Sequence, residues 1–135
     1  MSQKTKAADM KLTIEHFGGR ADVKDTTELT TVLGLRFGDG FNEFWITGSR
    51  RFPHMVLAVA PEGAAMHYFP KKGHPGFRSM GNRSKTGSMA FRTNTPEQKL
   101  MVAKSSIISV QLANAAVAEF FHTHGLPPII EWEEL

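Results

Sequence analysis

The residues that could do chemistry are few and scattered. Gly81-Asn82-Arg83-Ser84-Lys85-Thr86-Gly87 has the look of a phosphate loop, but such a loop needs glycine directly before the lysine and again five residues earlier, where this chain has Ser84 and Ser79. His122 and His124 are two apart, whereas a metal shared on one helical face needs ligands three or four apart. They suit the negative end of a helix or plain solvent. His16, His54, His67 and His74 fall on separate segments, and His67 with Glu43 or Glu15 is the best acid–base pairing on offer. No serine sits in a nucleophile-elbow setting, no zinc-deaminase signature is present, and the chain has no cysteine. The expectation is a protein with no catalytic residues, no metal and no cofactor.

Charge is more informative. The net charge is +3, yet between Glu62 and Glu97 there is no acidic residue, while Lys71, Lys72, Arg78, Arg83, Lys85 and Arg92 all fall there. Such a block can be a solvated face, a nucleic-acid footprint, or a surface complementary to an acidic protein. Aromatic residues accompany it: Phe41, Phe44, Trp45, Tyr68, Phe69, Phe77 and Phe91. Most of these belong in a core, but exposed ones beside arginines can stack on bases or anchor a protein interface. Strand parity puts Phe44 and Ile46 on one side and Glu43 and Trp45 on the other, without saying which side is buried.

Elements must position these groups, and 135 residues are enough for one domain, since a chain near this size buries about 70% of its unfolded surface. Residues 1–10 are polar and read as a disordered tail, leaving 11–135 as the domain. They lack the apolar run of a signal peptide, and no segment is long enough to span a membrane, which predicts a cytoplasmic protein. Leu12, Ile14 and His16 alternate with Thr13, Glu15 and Phe17 as in a strand ended by Gly18 and Gly19. Asp25 and Glu28 have capping-box spacing, with Leu29, Val32, Leu33 and Phe37 as the helical stripe behind them. A meander follows over 41–46, 54–60 and 64–69, with Ala60-Pro61-Glu62-Gly63 as a turn. Shorter strands are expected at 77–80 and 88–93.

The last 30 residues read as one unit. A short apolar strand leads to Ser109 as N-cap, and Leu112, Ala116 and Phe120 run beside Ala113, Val117 and Phe121 as one buried stripe. Gly125 can take the left-handed conformation that stops a helix, and Pro127 and Pro128 send the chain out extended through Ile129, Ile130, Glu131 and Trp132. The order of elements implies an α+β domain, with two helices on a largely antiparallel sheet and a final strand after the C-terminal helix.

The segment "VQLANAAVAEFFHTHGLPPIIEWEEL" resembles the C-terminus of the type-one immunity protein family of bacterial polymorphic toxin systems. The hairpin "MVLAVAPEGAAMHYF" and the segment "FRSMGN" resemble further pieces of that family, in the same order, so the likeness runs from about Leu29 to the C-terminus. The tail is most similar to immunity proteins paired with DNA cytosine deaminase toxins. The resemblance implies an antitoxin that binds a cognate toxin domain, a nucleic-acid-targeting deaminase or nuclease, in the cytoplasm and blocks it without chemistry. Under that resemblance the toxin-binding candidates are Trp45, Tyr68, Lys71, Lys72, His74, Phe77, Arg78, Asn82, Arg83, Lys85, Phe91 and Arg92. The basic stretch would meet an acidic rim, and Tyr68, Phe77 and Phe91 would supply a desolvated anchor. A small nucleic-acid-binding module using the same basic, aromatic face is the alternative.

Overall fold

The computed structural model describes residues 11–93 and 98–135, so the expected tail at 1–10 lies outside the described residues. A seven-stranded antiparallel sheet forms the centre. It contains β1 (Leu12–His16), β2 (Gly19–Val23), β3 (Asn42–Thr47), β4 (His54–Ala60), β5 (Gly63–Phe69), β6 (Phe77–Met80) and, last in the chain, β9 (Glu131–Glu134). Their spatial order is β2-β1-β3-β4-β5-β6-β9. Helices α1 (Thr26–Leu33) and α2 (Val110–Thr123) contribute to the core on one face, and a separate hairpin, β7 (Ser88–Arg92) with β8 (Lys99–Ala103), packs on the other. The fold is α+β, with the C-terminal helix followed by a final strand.

Gly18 and Gly19 do not merely end β1. Gly18 turns the chain with Phe17, and Gly19 opens β2, which buries Val23 but sets Arg20 and Asp22 outward. Charged outward positions suit an edge strand, and they hide β2 from any search for apolar alternation.

Asp25 caps α1, accepting a hydrogen bond from the Glu28 amide at 2.8 Å, and the Glu28 carboxylate reaches back to the Lys24 amide, also at 2.8 Å. Leu29 and Leu33 are buried, but Gly34 closes the helix and Phe37 lies beyond it, bridged to Phe41. The expected stripe was therefore one turn too long.

In α2, Ser109 accepts from the Leu112 amide at 3.0 Å, and Ala113, Ala116, Val117, Phe120 and Phe121 are buried as the periodicity requires. Ser109→Ala should cost about 1 kcal/mol, lowering the melting temperature by roughly 3–5 °C in a thermal denaturation. The left-handed residue is His124 (φ 54°), not Gly125. Its ring stacks on Phe120 at 5.5 Å and lies so close to Gly48 that a Cβ there would be 2.5 Å from it. Tertiary packing thus holds a non-glycine residue where glycine alone is favoured by intrinsic preference.

Two further differences concern the ends of this unit. Ile108 forms an isolated bridge with Ala64 instead of a strand. Pro128 and Ile129 turn, so the last strand starts only at Glu131, where the Trp132 indole donates to the Pro127 carbonyl at 2.7 Å. β8 had no counterpart among the expected elements.

The main core joins Phe44, Ile46, Met55, Leu57 and Val59 of the sheet to Phe120 and Phe121 of α2. Phe91 seals a smaller cluster under the β7–β8 hairpin with Ala58 and Ala60.

Candidate interaction surface

Strand register fixes what the helix-free face presents. One cross-strand row reads Glu15, Trp45, Val56, His67, Arg78, Glu133, and the next reads Thr13, Thr47, His54, Phe69. Phe44 and Ile46 are fully buried on the opposite side, which settles the parity of β3. Trp45 is 48% exposed near the middle of an otherwise regular sheet. Its indole N–H donates to Glu43 Oε1 at 3.2 Å, and Glu43 is itself buried.

The rings around Trp45 hold one another in place. His54 stacks on Trp45 (centroids 6.5 Å apart) and on Phe69 (4.6 Å), and meets Phe52 at a tilt (5.0 Å). His67 lies parallel to Phe69 at 4.2 Å, with its Nε2 2.8 Å from the Pro75 carbonyl. A tryptophan supported this way loses little rotamer freedom when a partner covers it.

Trp45 divides two clefts. One of about 480 Å³ lies towards Glu15, His16, Phe17 and Glu43. The other, of about 630 Å³, is lined by Glu15, Trp45, Phe52 and His54, with Arg51 and Lys72 also on its wall. A narrower groove of about 200 Å³ runs between the sheet and β8, where Leu100 (39% exposed) and Met101 (58%) stand over Val56 and His67.

Burial among these rings pushes the His54 imidazole below its ordinary value. Hydrogen bonding to the Arg51 backbone opposes the shift, and repulsion from His67 adds to it. The consequence for stability has a definite sign. An unfolded chain takes up the His54 proton near pH 6.5 while the folded chain resists it, so the folded state loses stability as pH falls below about 6.5. Denaturant melts at pH 7.5 and pH 5 should show this loss, and His54→Gln should show less of it.

Acid–base chemistry finds little support. His67, Glu43 and Glu15 share this face, but the His67 Nε2 lies against the Pro75 carbonyl, Glu43 holds the Trp45 indole, and no hydrogen bond joins His67 to either carboxylate among the described residues. Nor do three His, Asp or Glu side chains among the described residues cluster as metal ligands would. No helix of the structure is long and apolar enough to cross a membrane.

The basic block is answered from the far end of the chain. Arg78 is salt-bridged to Glu133 (Nε to Oε1, 2.6 Å), Arg83 to Glu131, and His74 lies 3.0 Å from Glu134. The Glu131 hydrogen bond and its charge hold the Arg83 guanidinium even more firmly protonated than usual. Arg92 faces Asp39 at 3.7 Å and lies over the Phe41 ring.

The twelve residues singled out from the sequence therefore do not form one patch. Trp45 and Arg78 share the open face, and Lys71 and Lys72 stand in the loop at one end of it. Asn82 organises its own loop by accepting from Ser84, and Arg83 and Lys85 extend from that loop. Tyr68 and Phe91 are 6% and 1% exposed, so both are packing residues and neither offers its ring as an anchor. Phe77 is half-buried, between His74 and Tyr68. Phe52 and His54 were not among the interface candidates, and Phe69 was weighed with the other aromatics but not among the twelve; the alternation of 43, 45, 47 with 54, 56 and 65, 67, 69 was the signal for the shared face.

A family model described as "Immunity protein Imm1" matches residues 20–134 of this chain. No curated protein matches it significantly.

Proposed function

This chain belongs to the Imm1 immunity protein family, and on that premise we propose that it binds a cognate toxin domain in the cytoplasm through the open sheet face around Trp45, occluding the toxin's active site or substrate surface. The observation that carries this reading is the placement of Trp45: a large, rigid, half-exposed ring with a cleft on each side. Interface energy concentrates in such residues, which sit near the centre of a contact and are shielded by a weaker rim. Leu100 and Met101 on one side, and Phe52 and His54 on another, provide that rim. A tight inhibitor buries roughly 1,600 Å² in total, which 20 to 30 residues on each side supply.

The likeness of the tail from Val110 onward to immunity proteins of DNA cytosine deaminase toxins supports a nucleic-acid-targeting deaminase or nuclease as the target. In this reading inhibition is by binding alone, without a chemical step. Co-expression with the C-terminal domain of the polypeptide encoded next to this protein tests the reading. Growth should be restored and the two chains should co-purify; continued killing with no co-purification would refute it.

A nucleic-acid-binding module is the second reading, favoured by the position of Trp45 and Phe52 beside Arg51 and Lys72. It predicts affinity for single-stranded DNA that falls steeply with salt.

A further inference from the structure

Among the described residues, the cations near the open face differ in whether an acidic partner answers them. Arg78, Arg83 and Arg92 are taken up by Glu133, Glu131 and Asp39. Arg50, Arg51, Lys71 and Lys72 are exposed and form no ion pair among the described residues. These four come from two separate loops. Residues 48–53 join β3 to β4 and residues 70–76 join β5 to β6, and the pairing of His54 with Phe69 puts both loops at the same end of the sheet. Arg51 and Lys72 line the same cleft of about 630 Å³, which Trp45, Phe52 and His54 floor. Like charges gathered without counter-charges repel one another, which leaves them poised for an anionic partner.

The same cleft also carries Glu15, which is exposed and forms no ion pair among the described residues. Beyond Trp45 the neighbouring cleft carries Glu15 again, with Glu43. A polyanion with one charge per unit, such as a nucleic-acid strand, would run from the cations into these carboxylates and be repelled there. A polypeptide can change chemistry along its length. It can present carboxylates at one end and an apolar side chain a few residues on.

Resting on the immunity reading above, we infer that this cleft is the specificity pocket for the toxin: it takes an acidic segment of the toxin domain, whose carboxylates meet Arg51 and Lys72, with Arg50 and Lys71 as a rim, and whose apolar side chain lies between Trp45 and Phe52. The pocket lies outside the paired arginines of 78–92 and draws half its charge from residues 50 and 51, which the sequence block does not include.

Association of the toxin domain with immobilised protein, followed by interferometry at about 50 and 300 mM salt, tests this directly. Arg51→Glu with Lys72→Glu should slow association roughly 30- to 100-fold at low salt and abolish most of the salt dependence. Lys24→Glu with Lys104→Glu makes the same change in net charge away from the cleft and should stay within about threefold of wild type. All four positions are exposed, and thermal melts check that folding is intact.

Equal slowing by the two pairs would mean that net charge alone steers the encounter, and would overturn the pocket. So would unchanged toxin association in the Arg51/Lys72 variant accompanied by lost affinity for an oligothymidine strand, which would reassign these cations to nucleic acid. In either case the immunity reading would survive, because wild-type binding persists. Absence of toxin binding by the wild type would remove both.

Discussion

Trp45→Ala should weaken toxin binding by roughly 100-fold, or about 3 kcal/mol, and cost only about 1 kcal/mol of stability, a fall of roughly 3–5 °C in melting temperature. The two halves of that expectation have different causes. The loss of affinity follows from removing a large ring at the centre of the contact, one already held by the Glu43 carboxylate and by stacking on His54. The small loss of stability comes from the buried Glu43 carboxylate losing its indole donor, and it stays small because of position. The ring lies on the helix-free face and is 48% exposed, while the inward residues of its strand, Phe44 and Ile46, are untouched. Interferometry on the purified variant, with a melt on the same sample, reads both. Ile129→Ala is a suitable comparison: Ile129 is equally exposed (46%) but sits in the turn before β9, and its loss should leave affinity within about twofold.

Tyr68→Ala should show the reverse pattern. Tyr68 is enclosed on the helix face by Phe77, Phe120 and Trp132, with ring centroids about 6 Å away in each case. Burial pushes its phenol above its ordinary value, as expected of a hydroxyl drawn out of water. Truncation leaves a cavity between α2, β6 and β9. A loss of about 3–4 kcal/mol and a fall of roughly 10–15 °C in melting temperature are expected. The fraction that remains folded should bind toxin with nearly wild-type affinity. A large loss of affinity without a loss of stability would instead make Tyr68 a contact residue and contradict the packing described above.

These two residues show what could and could not be read from the chain. Local signals read well where local physics decides the structure. The Asp25 cap, the Ala60–Gly63 turn, the β4–β5 hairpin and the buried stripe of α2 all appear as their spacing implied. Strand parity paired Trp45 with Glu43 against Phe44 with Ile46, but only the position of the helices decides which pair faces the main core. Tyr68 and Phe91 were open for the same reason.

Long-range pairing accounts for the rest. Arg83, Arg78 and His74 meet acidic partners 48, 55 and 60 residues further along the chain, so a block that looks uncompensated in sequence is half neutralised in space. β2 was hidden by outward charges and β8 by the absence of alternation. His124 takes a left-handed conformation because Phe120 and Gly48 hold it there, not because its own backbone favours it. Arg50 and Arg51, outside the basic block, join Lys71 and Lys72 only when β4 and β5 pair.

Hydroxyl-radical footprinting of the protein, free and bound to the toxin domain, is the most direct measurement of the central claim that the open sheet face is the toxin-binding surface. Trp45, Phe52, Phe69 and Met101 should be protected in the complex, while Leu126 and Ile129, exposed near the end of α2, should oxidise at the same rate in both states. Unchanged oxidation of Trp45 in a saturated complex, with protection of Leu126 and Ile129 instead, would contradict it.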